Sequence, residues 1–373
     1  MDGLNKLYFK KIIFFIILLI EFLYFQKINS QELQREYRAA RFLGRGDTGI
    51  ADSNGGDSIF YNPAGTAQTK GILNEIAIVS PQVEGTDNIK SLYDSAQGNS
   101  NAIDILAANQ NKVFSAAAQN YTGIVFRKVS LAVMDRLNAN AYVGIDPTTG
   151  IPTANIYGVN RAGVYLTLAH DFFDQHLLIG INGKYIQKRE ADLKISALNV
   201  ESQISNSSLK SIIENSMKQG SGIGADIGML LVLHKESSTQ IGLVYRNLGM
   251  QYRWVVPEGA SAPTSEPTVL DAGFKTSFGT KKSRVALFAD MRDIANVENT
   301  DVGKRMHFGI EYSFLNSFGI MTGINQGYST FGAFVSTKII KVEGGVYTEE
   351  IGERVGTLPS QRFFGRIVFG WLI

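Results

Sequence analysis

Apolar residues alternate with small or polar residues along most of the chain after position 72. From Met306 to Phe314, every second residue is apolar or aromatic, and His307 and Glu311 stand between them. A period of two residues is typical of a β-strand with one apolar and one polar face. We count about fourteen such runs between positions 72 and 373, which predicts an all-β fold.

The connections between the predicted strands alternate in length. Tight turns follow the even-numbered strands, at positions 128, 173–174, 235–237, 280–281, 315–316 and 338–339. Long gaps follow the odd-numbered strands, at 84–120, 146–152, 190–220, 255–267, 295–303 and 350–361, and the connection at 326–328 is the one short exception. Outer-membrane barrels have short periplasmic turns at one rim and long extracellular loops at the other. We therefore predict a closed antiparallel outer-membrane β-barrel of about 14 strands over residues 72–373.

The width of such a barrel indicates which face points outward. Side chains cannot fill the interior of a fourteen-stranded barrel, so an apolar lining would surround an empty or wet cavity. If the apolar face instead contacts outer-membrane lipid, closure of the sheet still satisfies every backbone group. Insertion would then involve the outer-membrane assembly machinery as a partner.

The first thirty residues have the features of a signal peptide. Lys6, Lys10 and Lys11 precede an apolar run at 12–25, and Ser30 offers a small residue at a cleavage site. The run is short for a membrane-spanning helix and contains Glu21, so we favour a cleaved export signal over an uncleaved anchor. Together with the strand pattern, this predicts the outer membrane of a diderm bacterium.

Two segments do not fit the strand pattern. Residues 31–71 are rich in Gly and Asp and precede the first strand; we expect them to form a hatch or plug in the barrel lumen or at its periplasmic end, with candidate gate residues Gly55, Gly56, Asp57, Asn62, Pro63, Ala64 and Gly65. Asn62 should be extended before proline and cap a short helix that begins at Pro63. Within 193–220, an amphipathic helix is predicted by the spacing of Leu209, Ile212, Ile213 and Met217. That helix either packs on its own loop or serves as a ligand-contact lid.

Charged residues recur on the predicted non-lipid face. By parity, the face includes Asp226, Arg246, Asp290, Arg292, His307 and Glu311. These charges could fix a plug, line a pore, or neutralise one another and rigidify the wall.

Composition and motifs give no support for catalysis, a cofactor or nucleic acid. The 373 residues include no Cys, and the formal charge is +2, so thiolate chemistry is excluded and a polyanion footprint is lacking. His170, His176, His234 and His307 lack metal-ligand spacing. The Gly44, Gly46, Gly49 pattern lacks the strand–helix context of a dinucleotide site. Arg45, Gly46 and Asp47 could mimic an adhesion motif, but a tripeptide recurs by chance. We predict a non-enzyme, although a site could still assemble from distant residues.

The sequence resembles the FadL-type family of outer-membrane transporters and its PorV-like relatives. The resemblance rests on the Gly-rich stretch that ends in Asn62, Pro63 and Ala64, and on later runs at 308–312, 323–328 and 344–347. It implies a fourteen-stranded barrel with an N-terminal lumenal hatch. It also implies passive uptake of small hydrophobic molecules or, in the PorV-like alternative, a scaffold for exported proteins in secretion. The Pro- and Ser-rich loop at 255–267 departs from the fatty-acid type, and a plain porin is a third possibility.

Overall fold

The computed structural model describes residues 32–33, 35–68, 71–88, 107–146, 149–196, 214–280 and 282–372. The predicted signal peptide and the residues Leu209, Ile212 and Ile213 lie outside these ranges. Among the described residues, no helix is both long and apolar enough to cross a bilayer.

One antiparallel sheet contains every strand of the described residues and closes on itself. The strands are β1 (Leu73–Val79), β2 (Gln82–Gly85), β3 (Val113–Phe126), β4 (Val129–Ile145), β5 (Pro152–Phe172), β6 (Leu177–Ser196), β7 (Lys218–His234), β8 (Thr239–Val256), β9 (Val269–Gly279), β10 (Ser283–Met291), β11 (Met306–Phe314), β12 (Phe318–Asn325), β13 (Tyr328–Ser336), β14 (Ile340–Glu350) and β15 (Pro359–Leu372). Each strand from β3 to β15 pairs with its neighbour in sequence.

The first two strands are two halves of one wall strand. Ile76 of β1 lies between Trp371 of β15 and Ile124 of β3. β2 pairs with the same two strands closer to the rim of long loops. Pro81 interrupts the ladder because proline has no N–H, yet its carbonyl accepts from Ile367 N at 3.0 Å. The wall is therefore closed at the break, and the barrel has 14 strands, as predicted.

Side chains alternate between the outside and the lumen as the sequence pattern predicts. In β11, Phe308 and Ile310 are 43% and 46% exposed, whereas His307 and Glu311 are buried. Large apolar residues are exposed in the same way on almost every strand. Such a continuous apolar exterior requires hydrocarbon around it.

Several predicted strand ends were wrong. β3 begins at Val113 rather than at 121. Its first residues are rich in alanine, so apolar and polar positions are hard to distinguish there in the sequence. β6 continues to Ser196 rather than 189, so Leu193 belongs to a strand and not to the outer loop. Residues 302–305 form a helical turn, α3 (Val302–Arg305), and are not part of β11. The short helices α1 (Ala40–Gly44) and α2 (Ser58–Tyr61) lie before the first strand.

Candidate functional site

Residues 32–33 and 35–68, which we name the lumenal segment, run through the interior of the barrel. The segment contains α1, α2 and a 3-10 helix at Pro63–Gln68. Glu32 contacts Arg362 near the outer end of β15 at 2.8 Å, whereas Gln68 donates to Gln240 near the turn rim at 2.8 Å. The segment therefore extends from the outer part of the lumen to the rim of short turns.

Lumen-facing glycines of neighbouring strands accommodate the lumenal segment. Gly180 of β6 and Gly228 of β7 are register partners. A Cβ built on Gly180 would lie 2.5 Å from Ala64 N, and one built on Gly228 would lie 2.7 Å from Pro63 Cδ. Both distances are below any real Cβ contact. Only glycine permits this close approach of the segment to the wall.

The glycine contacts continue around the barrel and form what we name the glycine groove. A Cβ would meet the segment at Gly242 (2.9 Å from Ile50 C), Gly273 (2.8 Å from Ile50 Cβ), Gly309 (2.6 Å from Thr48 Oγ1), Gly323 (2.6 Å from Gly46 N) and Gly332 (3.0 Å from Gly44 Cα). These positions lie on β8, β9, β11, β12 and β13. The sequence analysis placed glycine on the lumenal face but did not recognise its role. These glycines occupy lumen-facing positions in the two-residue alternation of neighbouring strands, and that pattern could have revealed the groove.

Asn62 has the geometry predicted from its place before proline. It is extended, with φ −153° and ψ 107°, and its Oδ1 accepts from Ala64 N at 3.1 Å. Its Nδ2 donates to Ile50 O at 2.9 Å and to Met229 O of the wall at 3.1 Å. One side chain thus caps the 3-10 helix, fixes an earlier part of the segment and attaches both to β7.

The other predicted gate residues lie in the same compact unit. Gly56 N donates to Glu75 Oε2 at 3.0 Å, and Gly55, with φ +58°, also packs against Glu75. Asp57 accepts from Tyr37 Oη at 2.6 Å and from Arg366 of β15 at 3.1 Å. A Cβ at Gly65 would overlap the backbone of Ser53.

Five of the six predicted lumenal charges contact the lumenal segment directly through their side chains. Asp290 Oδ2 accepts from Gly49 N at 2.7 Å and from Ile50 N at 3.0 Å. Glu311 accepts from Arg41 Nε at 2.8 Å and lies 3.1 Å from Arg45.

Arg246 donates to the backbone carbonyls of Phe60 and Tyr61 at 2.7 and 2.6 Å, and it pairs with Asp271 at 2.7 Å. His307 Nδ1 lies 3.0 Å from Gly46 O. These contacts run from the wall to the segment and not only from strand to strand.

Arg292 is the fifth, and Asp226 is connected to the segment through Lys184. Arg292 lies 3.2 Å from Asp47 of the segment. Asp226 lies 2.9 Å from Lys184, which also reaches Glu36 of the segment at 2.7 Å. The alternation along β15 also indicated Arg362 and Arg366, two buried wall cations that the sequence analysis overlooked.

The remaining motifs carry no separate site. Arg45, Gly46 and Asp47 are buried, so they cannot present an adhesion tripeptide. No group of three or more His, Asp or Glu side chains within the described ranges is placed to hold a metal ion. Met217 follows a helical turn at 214–216 and is 38% exposed. The ligand-contact role of Leu209, Ile212, Ile213 and Met217 stays a prediction.

Cavities lie on both sides of the lumenal segment. On the side of the long loops, two cavities of about 70 and 210 Å3 share Leu33, Glu266, Pro267 and Glu298 as lining residues. On the side of the short turns, two further cavities of about 330 and 650 Å3 share Asn54, Asn74, Lys275, Arg284 and Asn316. We call these the outer and the periplasmic cavities.

One carboxyl group in the outer cavities is strongly affected by its surroundings. Burial raises the pKa of Glu298, on the loop between β10 and β11, to about 7, and nearby Asp293 and Asp271 act in the same direction against Arg35. By contrast, Arg161 and Lys188 lower the pKa of Glu266 to about 2 against the effect of its burial. Glu266 is therefore ionised at neutral pH, and Glu298 titrates near it.

Comparison with known proteins identifies the fold and nothing finer. No protein-family model and no curated protein matches the sequence. The toluene transporter TbuX of Ralstonia pickettii superposes with a TM-score of 0.53 at 13% identity, over 91% of this chain and 99% of that chain. The toluene transporter TodX of Pseudomonas putida gives 0.52 at 12% identity, over 92% and 100%. The TodX deltaS2S3 mutant, described as a monoaromatic hydrocarbon channel, gives 0.52 at 10% identity, over 90% and 99%.

These likenesses confirm the predicted fold and location. The chain is a closed outer-membrane β-barrel with the fold of the FadL-type channels. Nothing in them distinguishes the PorV-like relatives, so that part of the resemblance stays a prediction.

Proposed function

We propose that this protein is an outer-membrane channel for small molecules with an apolar body, and that the lumenal segment is its hatch. The observation that carries the proposal is the arrangement of outer and periplasmic cavities on opposite sides of a segment that side-chain contacts and the glycine groove hold in place. A passage between the two sides needs movement of this segment and no change in the wall. The transporters with the same fold act on toluene according to their names, which supports cargo with an apolar body.

The outer cavities suit amphipathic cargo better than a plain hydrocarbon. Tyr37, Phe60 and Tyr61 offer ring surfaces, and Leu33 and Val269 add aliphatic ones. Charged groups share the lining, so a wholly apolar molecule would leave them without water or a partner. The loop between β6 and β7, with its predicted amphipathic helix, is the proposed first contact for such molecules.

Deletion of residues 55–65 tests the proposal. We expect liposomes containing the deletion variant to release a small dye far faster than liposomes with the full-length barrel, because both groups of cavities would become continuous. Heat-modifiable migration on gels would verify that the barrel is folded. Release as slow as that of the full-length protein, from a folded barrel, would contradict the hatch.

The rival function is a PorV-like scaffold that holds exported proteins through its extracellular loops. The packing of the segment favours it, since a scaffold needs a sealed lumen and a rigid outer platform. Native mass spectrometry of the detergent-purified protein separates the two: a co-purified small amphiphile supports the channel, and a co-purified exported protein supports the scaffold.

A further inference from the structure

Two opposite charges face the same outer cavity without pairing with each other. Glu298 and Arg35 both line the smaller outer cavity, Glu298 also lines the larger one, and Arg35 is the cation with the largest effect on the Glu298 carboxyl. Within the described residues no hydrogen bond or ion pair engages the Glu298 carboxylate. Arg35 has one long contact, 3.6 Å from its Nε to Asp47 Oδ2, and Asp47 is already bound by Arg292 at 3.2 Å and by Tyr61 Oη at 2.7 Å.

Buried polar atoms without partners border the same space. Thr300, 5% exposed, lines the larger outer cavity, and its Oγ1 has no hydrogen-bond partner among the described residues. Arg292, 3% exposed, lines the smaller one, and its Nε likewise lacks a partner within that part of the chain. Buried polar groups are normally satisfied, so these atoms indicate a polar occupant.

The space is sufficient for a small molecule. The larger outer cavity has about 210 Å3 of water-accessible volume, and about 10–15 Å3 suffices for one water. On the order of a dozen waters therefore fit. Apolar surface from Leu33 and Pro267 is common to both outer cavities.

From this arrangement we propose that the outer cavities bind a hydrophobic amino acid as a zwitterion. Its ammonium group binds the Glu298 carboxylate, its carboxylate binds the Arg35 guanidinium, and its side chain packs on Leu33 and Pro267. A ligand with only one of the charges would satisfy one residue and desolvate the other without a partner. This inference rests on the proposed function in that it names the cargo of the same cavity.

The pH dependence follows from the groups around Glu298. Arg35 of the lumenal segment, Asp271 of β9 and Asp293 and Lys304 of its own loop act on it, and Glu266 lines the same cavities. The pKa of Glu298 is about 7. Binding of the zwitterion should therefore strengthen as the pH rises from 6 to 8, while the ammonium of the ligand stays protonated.

Calorimetry on the detergent-purified protein with four related probes tests the proposal. L-phenylalanine carries both charges, 2-phenylethylamine only the ammonium, 3-phenylpropionate only the carboxylate, and ethylbenzene neither. We expect L-phenylalanine to bind most tightly. Glu298→Gln should weaken L-phenylalanine and 2-phenylethylamine about tenfold or more and leave 3-phenylpropionate unchanged. Arg35→Gln should weaken L-phenylalanine and 3-phenylpropionate more than 2-phenylethylamine, which is affected only through the pKa of Glu298.

Control variants separate recognition from misfolding. Glu353→Gln removes an exposed acid outside the cavities and should bind all four probes like the unaltered protein. Glu298→Asp keeps the charge and should retain part of the L-phenylalanine affinity that Glu298→Gln loses. The proposal is overturned if ethylbenzene binds as tightly as L-phenylalanine, or if neither Glu298→Gln nor Arg35→Gln weakens L-phenylalanine in a folded barrel.

Dye release and ligand binding distinguish this inference from the channel itself. Fast dye release through the deletion variant, together with a full-length protein that does not bind L-phenylalanine, would overturn the zwitterion site alone. Binding of L-phenylalanine with the expected variant pattern, but no dye release through the folded deletion variant, would overturn the channel alone.

Discussion

Placing a valine in the glycine groove should unseat the lumenal segment while the wall remains intact. A Cβ at Gly180 would lie 2.5 Å from Ala64 N, about 0.9 Å short of the 3.4 Å at which ordinary contact begins. Valine adds two further methyl groups. Because Gly180 is paired on both sides, with Ala169 of β5 and Gly228 of β7, the wall resists moving away, and the segment must shift.

The size of the effect follows from the cost of overpacking. Inserting extra methyl groups into a packed site costs about 1–3 kcal/mol. When the segment is displaced, the valine side chain projects into the open lumen and causes no overpacking. The overpacking cost therefore raises the free energy of the seated state alone. Each 1.4 kcal/mol is a factor of ten, so the ratio of displaced to seated segments should rise about ten- to hundredfold.

Gly183→Val is the matched control. Gly183 lies on the same strand, and a Cβ there is 3.9 Å from its nearest neighbour, Leu166 O. Its outward position places the valine in lipid. Conductance in planar bilayers and deuterium exchange of residues 58–68 should both increase in Gly180→Val and stay unchanged in Gly183→Val. Equal conductance and equal exchange in the two folded variants would refute the idea that the glycine contact seats the segment.

Three further predictions address other contacts. Asp290→Ala leaves the amides of Gly49 and Ile50 without their acceptor, at a cost of about 1–3 kcal/mol, so their deuterium exchange should accelerate, whereas Asp174→Ala at an exposed turn should have no effect. The pKa of Glu298 is about 7 in the folded loop and near its ordinary value of 4.5 in the unfolded loop, so between these values the folded loop holds a proton that the unfolded loop has lost. The unfolding free energy of the loop should therefore decrease between pH 5 and pH 8. Deuterium exchange corrected for intrinsic rates should become faster over this range, and Glu298→Gln should abolish the dependence. Ile212→Glu should abolish uptake of an apolar probe by a barrel that still shows heat-modifiable migration, and normal uptake would exclude the contact role of that loop.

The wall could be predicted from the sequence because its physics is local and repetitive. A two-residue period and a regular alternation of short and long connections are properties of consecutive residues, and both correspond to the observed strands and turns. Errors arose where the contrast was weak, as in the alanines at the start of β3, or where a strand continued beyond the lipid, as in β6 after 189.

The interior could be predicted only in part because it depends on contacts between distant residues. Parity placed Asp290 and Glu311 on the lumenal face, and the Asn62–Pro63 pair indicated its own cap. Their contact partners could not be predicted, because they are far away in the sequence: Asn62 contacts Met229, 167 positions later, and Arg41 contacts Glu311, 270 positions later. No periodic signal connects such residues, although glycines of lumenal parity on seven strands do predict that something approaches the wall closely.

The way in which the lumenal segment is held also indicates what its displacement involves. Arg45 and Arg366 of the interface are almost fully buried, and each pairs with a carboxylate across the boundary between segment and wall, at 3.1 Å in both cases. Separating such pairs in a dry interior would be very costly, since each charge would remain buried and unpaired. Water entering from the periplasmic cavities, which already contain Lys275 and Arg284, would solvate both partners and offset most of that cost. The displaced state must therefore be wet, so an opening of this barrel should conduct ions whenever it admits its cargo.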